Sequence, residues 1–355
     1  MENESEKIKV RIVTAQDRHA WHDYVDRCPD ATPYCSMAWK DAVEQAYGHR
    51  PCYLLAEEGG VITGILPLFI FNIPFSGSSL VSLPFCDIGD ILADNEKTRK
   101  ALLRETIILA EKHKVKKIII RSCQEHLIEN DIFDCHCNVE TGKVRMLLQL
   151  PGSTKELWDG FKSKLRSQVR KAEKNGLIFR WGGLEDLSDF YDVFSRNMHA
   201  LGSPVHSKTW IERVLVNYDK NARMGLVFKD EQPIGCGIIL CTESMVSIPW
   251  ASTLRDYNRL SPNMMLYWNF LQYAADNGKK VFDFGRSTLN EGTYRFKKQW
   301  GAKPEQLFWY CLNSVHSQKK SSSNNNRAHL EQLWQKMPLS LANVIGPKVR
   351  KYISL

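Results

Sequence analysis

At 355 residues, with 43% hydrophobic and 10% aromatic side chains, the chain holds material for two medium cores, since single cores stop growing near ~250 to 300 residues. A net charge of +8, from 48 basic against 40 acidic residues, is too mild an excess to imply an anionic partner by itself. Ten cysteines occur, but Cys28, Cys52, Cys86, Cys236 and Cys311 stand singly, which excludes a disulfide framework and points to reduced thiols. Cys135-His136-Cys137 is a metal-like fragment with no second pair to complete a ligand set, so no metal site is expected. Met1 to Lys9 is charged and has no apolar leader, and the apolar run Val61 to Ile73 is broken by Pro67 and falls below the ~20 residues that span a bilayer. The expectation is a cytoplasmic protein.

In chain order, short apolar runs with turn residues predict a strand over Tyr53 to Glu58, a Gly59-Gly60 turn and a strand from Ile62. A helix over Lys97 to Lys114 and a strand over Lys117 to Ile120 follow. The same order returns later: Gly225 to Asp230, Ile234, a helix over Ser261 to Asn277, and a strand over Lys280 to Phe284. Val81-Ser82-Leu83-Pro84-Phe85 answers Val246-Ser247-Ile248-Pro249-Trp250, and Arg121-Ser122 answers Arg286-Ser287, both 165 residues apart. The upstream strands match 172 apart, which fits a longer hairpin around Asn72 to Gly77 in the first copy. At the second strand end the first copy has Ile118-Ile119-Ile120 where the other has Asp283-Phe284-Gly285. The chemistry is therefore expected in the second copy.

The second helix has Ser261 as cap, Pro262 at its first position and Asn277-Gly278 at its close. Between the copies, Ser153 and Glu156 form a capping-box pattern, followed at helical spacing by Trp158, Phe161, Leu165, Val169 and Ala172, predicting one helix over Thr154 to Lys174. Lys162, Arg166, Arg170 and Lys174 recur every four residues, with Lys164 and Lys171 nearby. Such a stripe is either a solvated face or a cradle for a phosphate-bearing donor. The polar run Gln318 to Asn326 reads as a linker. Beyond it, Leu330, Leu333, Trp334, Met337, Leu341 and Ile345, interrupted by Pro338, read as a helical tail that docks on the body or contacts the inner face of a membrane. The organisation expected is 1–150 first domain, 151–316 second domain with its basic helix, 317–327 linker and 328–355 tail.

The densest chemistry is Asp283-Phe284-Gly285-Arg286-Ser287 followed by Gly292-Thr293-Tyr294-Arg295-Phe296-Lys297-Lys298. Strand ends of α/β sheets commonly bind ligand. Acylation of an amine needs a donor for the developing oxyanion and an acceptor for the ammonium proton. Lys297 or Arg286 suits the first and Asp283 the second; an Asp283–Arg286 pair that only braces the loop is the structural alternative. Tyr267, Tyr294, Lys298 and His199 are expected around the substrate, with His206 across the Leu201-Gly202-Ser203-Pro204 loop from His199. Arg166, Arg170, Lys171, Arg255 and Arg259 are the expected donor-phosphate ligands.

With those motifs in view, the chain from about Tyr34 to Leu312 resembles the FemAB-like transferases, which join two acetyltransferase-type (GNAT) domains. It is most similar to FemAB-related proteins of PEP-CTERM and exosortase systems, in Ser261-Pro262-Asn263-Met264-Met265-Leu266-Tyr267-Trp268, Asp283 to Ser287 and Tyr294 to Lys298. The tail, Met337-Pro338-Leu339 and Ala342-Asn343 to Gly346-Pro347, resembles theirs too. The resemblance implies an α/β (α+β) fold of two tandem GNAT-like domains, each a mixed, mostly antiparallel sheet flanked by helices. It also implies transfer of an acyl or aminoacyl group to an amine of an envelope precursor, peptidoglycan or exopolysaccharide-related, with Lys297 at the position that stabilises the reacting carbonyl. The segment Arg166 to Lys174 is similar to the family's basic helix. Two features have no counterpart: the long helical arm of some bridge-forming members, and the glycine-bearing phosphate loop of ordinary GNAT domains, replaced by Arg255-Asp256-Tyr257-Asn258-Arg259-Leu260. The donor therefore stays open between aminoacyl-tRNA and acyl-CoA, with no tightly bound cofactor. A non-catalytic module that binds a polysaccharide or lipid-linked precursor is the alternative, and the oligomeric state is open.

Overall fold

The computed structural model describes residues 8–74, 77–125, 137–313 and 324–355. Cys135 and His136, Phe75 and Ser76 of the longer hairpin, and residues 317–323 of the expected linker lie outside them. The chain divides into two compact units, one of Met1–Val144, Gln306–Lys320 and Ser354–Leu355, the other of Arg145–Glu305 and Ser321–Ile353.

The first unit contains β1 (Lys9–Ile12), α1 (Arg18–Arg27), α2 (Met37–Tyr47), β2 (Arg50–Pro51), β3 (Leu54–Glu58), β4 (Val61–Leu66), β5 (Phe69–Ile73), β6 (Gly77–Val81), β7 (Leu92–Ala93), α3 (Glu96–Lys112), β8 (Lys117–Ser122) and β9 (Cys137–Glu140). The second contains β10 (Val144–Gln149), α4 (Thr154–Gly160), α5 (Ser163–Lys174), β11 (Leu177–Gly182), α6 (Leu187–Ala200), α7 (Lys208–Tyr218), β12 (Ala222–Lys229), β13 (Gln232–Cys241), β14 (Met245–Thr253), α8 (Pro262–Asp276), β15 (Val281–Ser287), α9 (Gly292–Gln299) and β16 (Lys303–Gln306). The chain then supplies β17 (Phe308–Asn313) to the first unit, and α10 (Asn324–Lys336) and α11 (Leu339–Arg350) to the second.

In the first unit the strands form a four-stranded sheet, β1-β3-β4-β7, and a six-stranded one, β2-β5-β6-β8-β17-β9. Leu54, Leu66, Leu80, Leu102, Ile120 and Leu312 share its core. β6 and β8 run parallel, joined by the crossover α3, which such a pair requires. Past their short ladder, Leu83 to Ile91 closes the strand ends. Gly89 bridges to Arg121, and the buried Arg121 guanidinium donates to the carbonyls of Leu83 and Cys86 and to Ser354 Oγ. The Asp90 carboxylate accepts from Ser122 Oγ and Cys123 N–H, while burial pushes its pKa up.

The second unit is one seven-stranded sheet, β11-β12-β13-β14-β15-β10-β16, antiparallel from β11 to β14 and parallel between β14 and β15. α8 lies on one face, its Phe270 ring seated over Gly225 and Gly237, where an added Cβ would come within 2.6 and 2.8 Å of the ring. Asn197 of α6 donates to Ser252 Oγ at 2.9 Å, and the alternation along β14 puts that contact on the opposite face. β14 and β15 pair only over Met245–Ser247 and Val281–Asp283, although the strands are nine and seven residues long. Beyond Ser247 and Asp283 the ladder stops.

Three sequence readings are refined. The basic segment is two helices, not one: Phe161 and Lys162 are extended, because Gly160 weakens the helix and the Phe161 ring turns into Trp268 and Trp300 at 5.8 and 5.5 Å. Ser261 stands at the start of α8 and Pro262 at its first position, but Ser261 is left-handed (φ 68°) and its hydroxyl makes no cap. The copies also differ in ladder register: Val81 pairs with Ile119, and Val246 with Phe282, a connection two residues shorter. Ile120, not Ile118, therefore occupies the place of Asp283. Both strands outside the expected cut have a physical cause as well. β10 pairs in the second sheet, so that unit begins at Arg145, while β17 pairs with β8 and β9 in the first.

Candidate active site

The site is built where the parallel ladder ends. Asp283 is 3% exposed, and its Oδ1 accepts the backbone N–H of Gly285 at 2.7 Å. That bond folds the chain into a turn whose Gly285 has φ 72°, a conformation that costs glycine nothing. Oδ2 lies 4.0 Å from a guanidinium nitrogen of Arg145 on β10, and Arg145 Nε is hydrogen-bonded to Glu305 on β16. A buried carboxylate is tolerable because a cation and an N–H face it.

Lys297 reaches the same turn from α9. Its ammonium donates to the carbonyls of Gly285 at 3.0 Å and Arg286 at 2.7 Å, and the residue is 8% exposed. Its placement follows from the helix around it: Phe296 meets Tyr267 edge-on at 5.0 Å, and Trp300, fully buried, meets Phe161 at 5.5 Å. A one-residue change in helix phase would turn the ammonium away from the strand end. The carboxylate on one side and the ammonium on the other thus converge on Gly285-Arg286. Ser247 closes the ladder and Ser287 lies four residues past its end; both hydroxyls are buried and have no hydrogen-bond partner among the described residues.

The Asp283 carboxylate and the Lys297 ammonium are thus both hydrogen-bonded to the Gly285-Arg286 main chain. Tyr267 is not an open wall: it is buried, stacked on Phe284 at 5.6 Å, with its phenol pKa pushed up by burial, and forms the floor under the turn. Tyr294 is buried too, and the Lys298 ammonium stands 5.5 Å over its ring. His199 is placed elsewhere. Its Nε2 is 2.8 Å from Met337 O, on α6 and so on the opposite face from α8. The loop beside it is covered by the C-terminal helices, Gly202 lying against Glu331 and Val205 against Gly346. His206 there accepts from Arg350 Nε at 3.0 Å, and burial first, then Arg350, push its pKa well below 6.5.

The basic residues separate along α5, about 18 Å long. Arg255 and Arg259 are exposed on the turn before α8, near the end of α5 where Asn175 bonds Leu260 O. Arg170 covers Trp158 at 5.3 Å and lines a cavity of about 490 Å³ with Lys155, Glu173 and Trp268. Arg166 and Lys171 lie on the same helix, half-buried and exposed respectively. At the start of α5, a cavity of about 470 Å³ is lined by Lys162, Lys164, Arg295 and Lys298 over Phe161 and Trp300. The break after Gly160 creates this pocket, with the uncapped N–H groups of α5 at its rim. Sequence reasoning missed Arg145, Ser247 and Ser287; a lone arginine within the apolar run Val144 to Leu148 was the available signal for the first. Among the described residues, no cluster of three or more His, Cys, Asp or Glu side chains could hold a metal.

This sheet with its interrupted parallel ladder and crossover helix is the GNAT arrangement, and residues 160–298 match the family model described as Acetyltransferase (GNAT) domain. The second unit is a GNAT-type acyltransferase domain, and the whole chain has a FemAB-like tandem GNAT fold. Among solved structures it is similar to FemX, with a TM-score of 0.67 and 15% identity over 85% of this chain and 96% of that one. A tandem GNAT protein from the clavulanic acid biosynthesis pathway matches with 0.56 and 12%, over 88% and 100%. The C-terminal domain of a putative lysylphosphatidylglycerol synthetase from Agrobacterium fabrum matches with 0.55 and 12%, over 90% and 96%. At such identities the likeness is one of fold. No curated protein matches the sequence.

Proposed function

We propose that the chain is a FemAB-like N-acyltransferase that moves an acyl or aminoacyl group from an anionic donor to the amine of an envelope or exopolysaccharide-related precursor. The observation that carries this reading is the convergence of Asp283 and Lys297 on the Gly285-Arg286 turn at the end of the parallel ladder. The amine nitrogen attacks the donor carbonyl, a C–N bond forms, and the leaving thiol of coenzyme A or hydroxyl of tRNA departs with a proton. Lys297 and Arg286 supply positive charge for the oxygen that becomes negative, which a water-poor setting strengthens. Asp283 orients the amine or accepts its proton, and the Ser247 and Ser287 hydroxyls offer polar contacts to the bound groups. The cavity of Lys162, Lys164, Arg295 and Lys298 suits the donor phosphates, with Arg166, Arg170, Lys171, Arg255 and Arg259 extending the positive surface.

The experiment is transfer from labelled aminoacyl-tRNA or acyl-CoA to an amine pool by the wild type, Lys297→Ala and Arg286→Ala. Strong loss in the variants, with the fold retained, supports the assignment; full activity in both contradicts it. A second reading is favoured by one observation: an ammonium bonded to two backbone carbonyls is also how a lysine braces a loop. In that case the chain is a non-catalytic module that binds the precursor, and saturable binding without transfer is the result.

A further inference from the structure

We infer that the C-terminal helix pair is a docking surface for an anionic membrane. α10 and α11 both pack on α6, tied by Met337 O to His199, by Gln335 to Ala200 O and by Arg350 to His206. Their inward side is occupied by Trp334, Ala342 and Gly346. The exposed side of the pair carries aliphatic residues among polar ones: Leu330 is 65% exposed and Val344 59%, with Leu333, Leu341 and Val349 also exposed, and Gln332, Gln335 and Ser340 exposed on the same helices. Singly exposed aliphatic residues need no explanation, but five along 20 residues form a patch.

The charges decide what covers it. Among the described residues the exposed cations of the pair are Lys336 and Lys348, and the single acidic residue between His329 and Leu355, Glu331, is turned toward Gly202. Exposed leucines and valines beside lysines and uncharged glutamine and serine, without an outward carboxylate, complement acyl chains below a layer of anionic headgroups, as interfacial helices do. With 13 and 12 residues and a break at Pro338, the helices lie in the interface and do not cross it. Among the described residues no helix is long and apolar enough to span a membrane. A second copy of the chain would set Lys336 and Lys348 against other cations of the same face, which argues for lipid as the occupant.

The test is co-sedimentation of the full chain with vesicles of phosphatidylcholine alone or with phosphatidylglycerol added. Binding should be at least about tenfold stronger to the anionic vesicles and should weaken with salt. Lys336→Gln and Lys348→Gln should each reduce it about fivefold, and Leu330→Gln/Leu333→Gln/Val344→Gln should abolish it with an unchanged circular dichroism spectrum. Equal or absent binding to both vesicles, or binding unaffected by the apolar substitutions, overturns the inference. A dimer in solution that those substitutions split, with no vesicle binding, reassigns the face to a second copy. None of these readouts depends on acyl transfer.

Discussion

Replacing Lys297 by methionine keeps most of the aliphatic stem and removes only the ammonium. Two carbonyls, Gly285 O and Arg286 O, then lose a charged donor. Hydrogen bonds to charged groups contribute about 1.5–3 kcal/mol each, and the buried ammonium's own desolvation offsets part of that. The net loss expected is about 1–3 kcal/mol of stability in the second unit, read as a fall in the urea midpoint without a change of slope. Activity should fall much further, because removal of an oxyanion donor costs about 10²–10³ in kcat. Single-turnover transfer, measured at a temperature where circular dichroism shows the variant folded, separates the two effects. Transfer at the wild-type rate by a folded Lys297→Met protein would refute the catalytic role; a midpoint shift with no effect on rate would leave a brace.

Gly237→Ala should destabilise the second unit by about 1–3 kcal/mol, since the new methyl would stand 2.8 Å from the Phe270 ring. Phe270→Leu in the same chain should recover part of that loss, and additive losses in the thermal midpoint would show that the clash is not the cause. His206 has a folded pKa well below 6.5, so the unfolded state binds the proton more readily. Its contribution is complete above about pH 6.5 and is lost as the pH falls below that value, because the unfolded state takes up the proton that the buried ring bonded to Arg350 refuses. Hydrogen exchange of α11 should therefore accelerate from pH 7.5 to pH 5.5 by more than the intrinsic change, and His206→Asn should flatten the difference.

Much of the fold was readable because its signals are local. Period-two apolar runs placed the hairpins, Pro262 and Gly278 bounded α8, and the repeated order of elements exposed the tandem plan. Local pattern failed where a long-range contact decides. The Thr154 to Lys174 stripe reads as one helix; Gly160 weakens it locally, and the contacts of Phe161 with Trp268 and Trp300 complete the break and the basic pocket beside it. Ladder register is likewise set by pairing partners, so a constant sequence offset misplaced Ile118 against Asp283. In the site, Asp283, Arg286 and Lys297 were legible because they share one motif. Arg145 was not, since 138 residues of chain separate it from the Asp283 it faces. His199 shows the opposite error: a titratable group beside a glycine loop invites a functional reading, yet its ring nitrogen is bonded to the carbonyl of Met337.

The most direct test of acyl transfer by the second unit is to incubate the full chain with labelled acyl-CoA or aminoacyl-tRNA and amine acceptors, then count label in base-stable amide product. Label in the amide with the wild-type chain, and its loss with Lys297→Met, is the result expected. Saturable acceptor binding with no amide formed from either donor would contradict it.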